Sequence, residues 1–223
     1  MANRPVFFPS QSSNSYRSSS LINFSWYAGF SVIQKRKCIN ALHEAAKKQG
    51  KIPILEISTK SNNSIGVRAS AFNLRFVSGQ KAGASVESVY QGSKVFQNGG
   101  PYTDLYRISS GGAKKDARIR DGYRLMRFEC DGEEWPLQPK TLFYDWLYLR
   151  ALCDNPTVAS ELGRYSGFTD IEFNPRKGVS CQAASAALYV ALVRRGDFQK
   201  VIASKAAFIE AMCSVDQRDL FIE

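Results

Sequence analysis

Residues 141–153, TLFYDWLYLRALC, constrain the fold more than any other stretch. They read as a strongly apolar helix, and a helix apolar on most of its faces is stable only when other elements cover it. A second segment, SCQAASAALYVALVRRG (180–196), reads as a helix capped by Ser180 and closed by Gly196. A third, SVIQKRKCINALHEAAKK (31–48), places Val32, Ile33, Ile39, Leu42 and Ala46 near helical spacing, with Ser31 as N-cap and Gly50 as the stop. Its polar face is cationic, through Lys35, Arg36, Lys37, Lys47 and Lys48.

Short β segments fall between these helices. IPILEIS (52–58) reads as a strand, IGVRASAFNLRFV (65–77) as one or two more, and YRLMRFEC (123–130) as another, with DGEEW after it as a turn. FTDIEFNP (168–175) reads as a strand carrying Asp170 and Glu172, which at i and i+2 would share a face. In NPTVASELGRY, Asn155 and Pro156 form a cap and first turn, and a last helix covers roughly 199–212. SSGGAKK (109–115) lacks the Walker A spacing and reads as a flexible loop. The pattern predicts a predominantly helical α+β single domain with a small β-sheet. The serine-rich PSQSSNSYRSSS reads as an extended or mobile lead-in, which puts the domain boundary between 1–20 and 21–223.

The chain of 223 residues, 44% hydrophobic and 22% charged, has an ordinary globular composition with enough length for a sizeable core. No apolar run approaches a membrane span, and the N-terminus lacks the pattern of a signal peptide. Cys38, Cys130, Cys153, Cys181 and Cys213 are dispersed, and His43 is the only histidine, expected on a helix surface. A reduced, cytoplasmic protein is expected, with neither metal nor cofactor. The net charge of +10 is unevenly spread. Up to Lys81 the chain carries Arg4, Arg17, Lys35, Arg36, Lys37, Lys47, Lys48, Lys51, Lys60, Arg68, Arg75 and Lys81 against only Glu44 and Glu56. The remainder balances, so the whole excess sits in the first third, as a surface facing a polyanion requires. Lys35, Arg36 and Lys37 are its densest run and the candidate nucleic-acid contacts.

SVESVYQGSKVF (85–96) reads as a helix begun by Ser85 and stopped by NGGPY. In a helix Glu87, Gln91 and Lys94 stand at i, i+4 and i+7, so an acid, an amide and an amine share one stripe. By residue type alone this is either a solvated ion-pair stripe or a site for acid–base or imine chemistry.

Several pieces together resemble the NADAR, or YbiA-like, family. Its signature helix, [ST]-x-E-x-x-[YF]-Q-x-x-K, is matched by Ser85, Glu87, Tyr90, Gln91 and Lys94. LINFSWY supplies the N-terminal Asn-Phe motif at Asn23 and Phe24, and FYDWLYLRALCDNPTVASEL and FTDIEF follow in the family's order. The wording of NGGPYTDLY, LFYDWLYLRAL, FTDIEFNP and CQAASAALYV is similar to the branch encoded beside DarT-type DNA ADP-ribosyltransferase toxins. Two departures bear on substrate: Ser88 stands where His usually follows the motif Glu, and NPRKGVSCQ has no Trp-Gly pair.

The resemblance implies an antitoxin that removes ADP-ribose from guanine in DNA, with ADP-ribosylated DNA as substrate and a DarT-type toxin as partner. Glu87 would cycle the proton, Gln91 would position ribose or water, and Lys94 would be an imine-forming nucleophile or a pyrophosphate anchor. Tyr90, with Asn23, Phe24 and Trp26 of the N-terminal motif, would line the pocket. Asp170 or Glu172 could hold ribose hydroxyls, and Trp135, in a turn-like EEWPL, could stack on a base, whereas Trp146 suits the core better. Two other readings stand beside this one. One is a small-molecule N-glycosidase of the riboflavin-pathway type, the other a non-catalytic module that binds nucleic acid or sequesters the toxin.

Overall fold

The computed structural model describes residues 1–121, 123–175 and 178–214. They form an α+β fold in which helices surround two small sheets. The chain opens with β1 (Ala2–Pro9) and β2 (Arg17–Phe24), an antiparallel hairpin in register from Ala2 opposite Phe24 to Pro9 opposite Arg17. A boundary at residue 20 therefore falls inside β2. The serine-rich composition misleads because apolar and charged residues at its ends anchor it: Arg17, Ile22 and Phe24 are buried while the serines between are more exposed.

β1 continues into a four-stranded sheet of order β2-β1-β7-β3, with β3 (Ile54–Glu56) parallel to β7 (Gly167–Thr169). Helix α1 (Val32–Lys47), capped by the Ser31 hydroxyl on the Gln34 N–H, covers one part of it. Cys38, Ile39, Leu42 and Ala46 pack there on Val6, Ile22, Phe24 and Ile171 as a separate small core. The second sheet, of order β4-β5-β6, is antiparallel and joins β4 (Lys94–Phe96), β5 (Leu125–Cys130) and β6 (Glu133–Trp135).

The main core is built around α6 (Leu142–Cys153), which is buried on nearly every face, and α8 (Gln182–Arg195). Alanines 183, 184, 186, 187 and 191 keep α8 thin enough for close packing. Asp145 sits inside this core on α6. Arg17 grips both its oxygens, at 3.0 and 2.8 Å, Ser185 donates to it at 2.6 Å, and Arg17 also reaches Thr141. A buried carboxylate is tolerable only when paired and fully hydrogen-bonded, so this cluster ties hairpin, α6 and α8 into one unit.

Several local expectations need correction. Residues 65–77 hold α2 (Ser64–Arg68) and turns, where one or two strands were expected. SSGGAKK is α4 (Ser110–Lys115), capped by Ser109 on the Gly112 N–H, and not a loop; α5 (Ala117–Arg120) follows it. The DGEEW stretch turns at Asp131–Gly132 and then enters β6. Cys181, not Ser180, occupies the N-cap of α8. The last helix is two, α9 (Phe198–Ile202) and α10 (Lys205–Ser214), beyond α7 (Pro156–Leu162). Among the described residues no helix is long and apolar enough to cross a membrane.

Candidate active site

The predicted stripe survives in altered form. Helix α3 (Val86–Gly92) begins at Ser85, whose hydroxyl accepts the Ser88 N–H at 3.0 Å, and ends before Lys94. Lys94 opens β4 instead, opposite Phe128 of β5. Just past β4, Gly100 at φ 104° passes so close to the strand that a Cβ on it would collide with the Lys94 carbonyl oxygen, so only glycine allows the chain to pass there. Although Lys94 has left the helix, its Nζ donates to Gln91 Oε1 at 2.7 Å. Gln91 Nε2 in turn donates to Glu87 Oε1 at 2.9 Å.

Acid and amine are thus linked through one amide and make no direct ion pair. Glu87 and Gln91 are each about 5% exposed. Burial pulls the Lys94 pKa down to about 8, against the opposing effect of Glu87 and helped by the charge of Lys114. The Lys94 ammonium also lies 5.2 Å from the Tyr90 ring centroid. Lys114, on α4, approaches Glu87 at 3.7 Å from the solvent side.

Ser88, at the departure from the family pattern, works inward. It accepts from Ser85 at 2.9 Å and donates to the Ile108 carbonyl at 3.1 Å, while Ser85 meets Ser110 at 2.7 Å. These bonds lash α3 to the segment that carries Lys114.

The stripe forms one wall of a cleft of about 890 Å³. Tyr90 and Tyr144 meet edge to face inside it, with ring centroids 5.1 Å apart. Burial pushes the Tyr144 hydroxyl well above its ordinary pKa, and the nearby Glu87 and Asp170 carboxylates act in the same direction. Asp170 stands across the cleft, just past the end of β7, and accepts from Gln182 at 2.9 Å and from the Glu172 N–H at 3.0 Å. Gln182 also accepts the Ala71 N–H, and the Ala71 carbonyl takes the Glu87 N–H, so the two carboxylate-bearing segments are tied through one residue.

Behind Asp170 lies Glu56, which accepts from Thr169 at 2.6 Å and from the Ile171 N–H at 2.8 Å. Burial raises the pKa of both acids; the Glu56 carboxylate adds to the rise at Asp170, and Glu172 to the rise at Glu56. His43, expected on a helix surface, is half-buried instead. Its Nε2 lies 2.9 Å from Thr169 Oγ1, and burial lowers its pKa to about 4.

The cleft brings together Glu87, Tyr90, Gln91, Lys94, Asp170 and Glu172. Asp170 and Glu172 do not share a strand face, because β7 ends at Thr169; Asp170 is buried in the cleft, whereas Glu172 reaches out to Lys35 at 3.1 Å. Trp135 is no base platform: it is 1% exposed and packs on Phe143 and Trp146 in the core. Trp146 packs there too, against Phe208. Asn23 bonds Asn3 on the hairpin surface and Phe24 belongs to the small core, so neither lines the cleft. Trp26 does not line the cleft either: it packs on the small core beside Phe24, with Arg4 and Lys35 over its ring. Lys60, Lys114, Lys140 and Tyr144 also line the cleft, and sequence reading missed them. Lys60 figured there only in the basic excess, and the two lysines of SSGGAKK only in a segment misread as a loop.

An acid and a desolvated amine in one wall, facing a second carboxylate across a cleft with lysines at its edges, describe a site suited to an anionic ligand. The chain belongs to the DarT1-associated NADAR antitoxin family, whose sequence profile matches residues 2–220. No curated protein matches it.

Proposed function

We propose that this protein is an N-glycoside hydrolase that removes ADP-ribose from ADP-ribosylated guanine in DNA and so counteracts a DarT1-type toxin. The observation that carries the reading is the Glu87–Gln91–Lys94 chain, in which the amide keeps the amine near the acid without fixing it as an ammonium. The family membership supplies the biological frame.

In the reaction, Glu87 gives its proton to the ribose ring oxygen, and the ring opens to a C1 iminium conjugated with the guanine amine. The neutral Lys94 amine adds to C1. Guanine then leaves with a proton as its free exocyclic amine, and C1 remains bound to Lys94 as an imine. Water adds to the imine carbon, with Glu87 accepting a proton. Collapse of the adduct releases the ADP-ribose aldehyde, which recloses, and regenerates the lysine amine. Asp170 would hold ribose hydroxyls and Lys60, Lys114 and Lys140 the diphosphate, a reading supported by their shared place in the cleft lining. The exposed cations Arg36 and Lys37, with Lys35 near the rim, would receive the DNA backbone.

The test is release of ADP-ribose from a guanine-modified oligonucleotide, with borohydride added during turnover. The expected result is release accompanied by an intact-mass adduct of reduced ADP-ribose on Lys94. Release only from a free glycosylamine would favour the small-molecule reading, and no release from either substrate would favour a sequestering module.

A further inference from the structure

The loop leading into α1 presents an apolar tip that the chemistry above does not use. Phe30 is 99% exposed, Ile33 68%, and Tyr27 and Val32 each 43%. Gly29, at φ 130°, turns the chain there, and a Cβ on it would press on Gln34. An apolar residue just before an N-cap ordinarily packs on the fourth helical residue. Here the cap is Ser31 and that fourth residue is Lys35, so Phe30 has no such partner. Lys35 turns away, to the Trp26 ring and to Glu172, which lines the cleft. Arg4 lies over the same ring. Exposed Arg36 and Lys37 stand on the next turn of the helix, and the first turn of α1 carries no acid.

We propose that this tip is a stacking platform for single-stranded nucleic acid, receiving the bases next to the modified guanine while Arg36 and Lys37 take the adjoining phosphates. The proposal rests on the DNA reading above and names where the strand runs. Rings interleaved with cations are what sequence-tolerant binding of unpaired bases requires, since every base has a face to stack and every nucleotide a phosphate. The charge decides the partner: a patch with four nearby cations and Glu172 as the neighbouring acid suits a polyanion. Lys35 is less than a turn from Val32, so the tip begins within about one helical pitch, roughly 5 Å, of the side chain that bridges to the rim. A base in the cleft and its neighbour on the tip can therefore belong to one strand.

The experiment uses the full chain with Phe30→Ala, Ile33→Ala and the double variant, whose exposed positions leave the melting temperature unchanged. Binding to a labelled, unmodified single-stranded oligonucleotide is followed by anisotropy across a salt series. The double variant should bind at least about fivefold more weakly, the low end of one base–ring stack. The slope of log affinity against log salt should stay that of the parent, because no cation has been removed, whereas Arg36→Gln with Lys37→Gln should flatten it. KM for a modified oligonucleotide should rise, with turnover of an ADP-ribosylated nucleoside unchanged. Oligonucleotide affinity within twofold of the parent would overturn the proposal. So would equal losses on oligonucleotide and nucleoside, or loss of co-elution with a DarT1-type toxin while DNA binding persists, which would make the tip a protein-docking surface. If the parent hydrolyses neither substrate, the glycosidase reading fails, yet the affinity comparison still decides the platform.

Discussion

The state of Lys94 at neutral pH separates nucleophile from anchor. An ordinary lysine with a pKa of 10.5 is neutral in only about one molecule per thousand at about pH 7.5. With burial lowering the value to about 8, about a quarter is neutral at that pH, a gain of roughly 200-fold in reactive amine. The sign follows from which form reacts. The first step also needs the proton of Glu87, so the active form holds one proton on the pair, on the acid; that proton is lost as the pH rises through the shifted pKa, and kcat/KM should fall about tenfold per pH unit above about 8. Borohydride trapping should follow the same curve, because it reports the same imine. Lys94→Arg keeps the positive charge at every accessible pH and cannot form the imine, so it should lose at least about a hundredfold in turnover. Rate and trapping would be measured together on the modified nucleoside, which removes DNA binding from the pH dependence. Absence of a borohydride adduct at every pH, with Lys94→Arg within about fivefold of the parent, would refute the nucleophile and leave a phosphate-holding cation.

Three further outcomes are expected. Glu87→Gln keeps the bond to Gln91 but cannot cycle a proton, so kcat should fall at least about a hundredfold with the melting temperature unchanged; near-parental turnover would remove Glu87 from the chemistry. Asp170→Asn should alter kcat by less than about tenfold, because burial already favours the neutral acid and the amide mimics its shape; a loss as large as that of Glu87→Gln would give Asp170 a proton-transfer role. Arg17→Met strands Asp145 in the core and should cost about 3–5 kcal/mol in a denaturant titration, most of it recovered by adding Asp145→Leu. A single-variant loss below about 1 kcal/mol would mean that Asp145 finds water or another partner.

Local physics was legible in the chain wherever one residue suffices to impose it. Ser31 and Ser85 cap the helices they were expected to cap, and Gly196 at φ 74° closes α8. The apolar 141–153 segment is the central buried helix, because nothing but burial accommodates such a surface. Spacing also placed Glu87 and Gln91 on one face, as four residues in a helix must.

Tertiary structure decided everything that depends on what lies across a gap. Lys94 reaches Gln91 from a strand and not from a third helical turn, because pairing with β5 takes the chain out of the helix after Gly92. Trp135 looked exposed in a polar turn, yet β6 turns it into the core beside Phe143. Arg17, in a serine-rich run that composition marks as mobile, is held by Asp145, 128 residues away. Lys114 and Asp170 enter the site from opposite sides of it, and no spacing along the chain encodes that meeting. Capping, periodicity and apolar content act over a few residues and can be read in order. Desolvation and charge pairing depend on distance in space, so the buried amine that gives this cleft its chemistry exists only once the walls have closed around it.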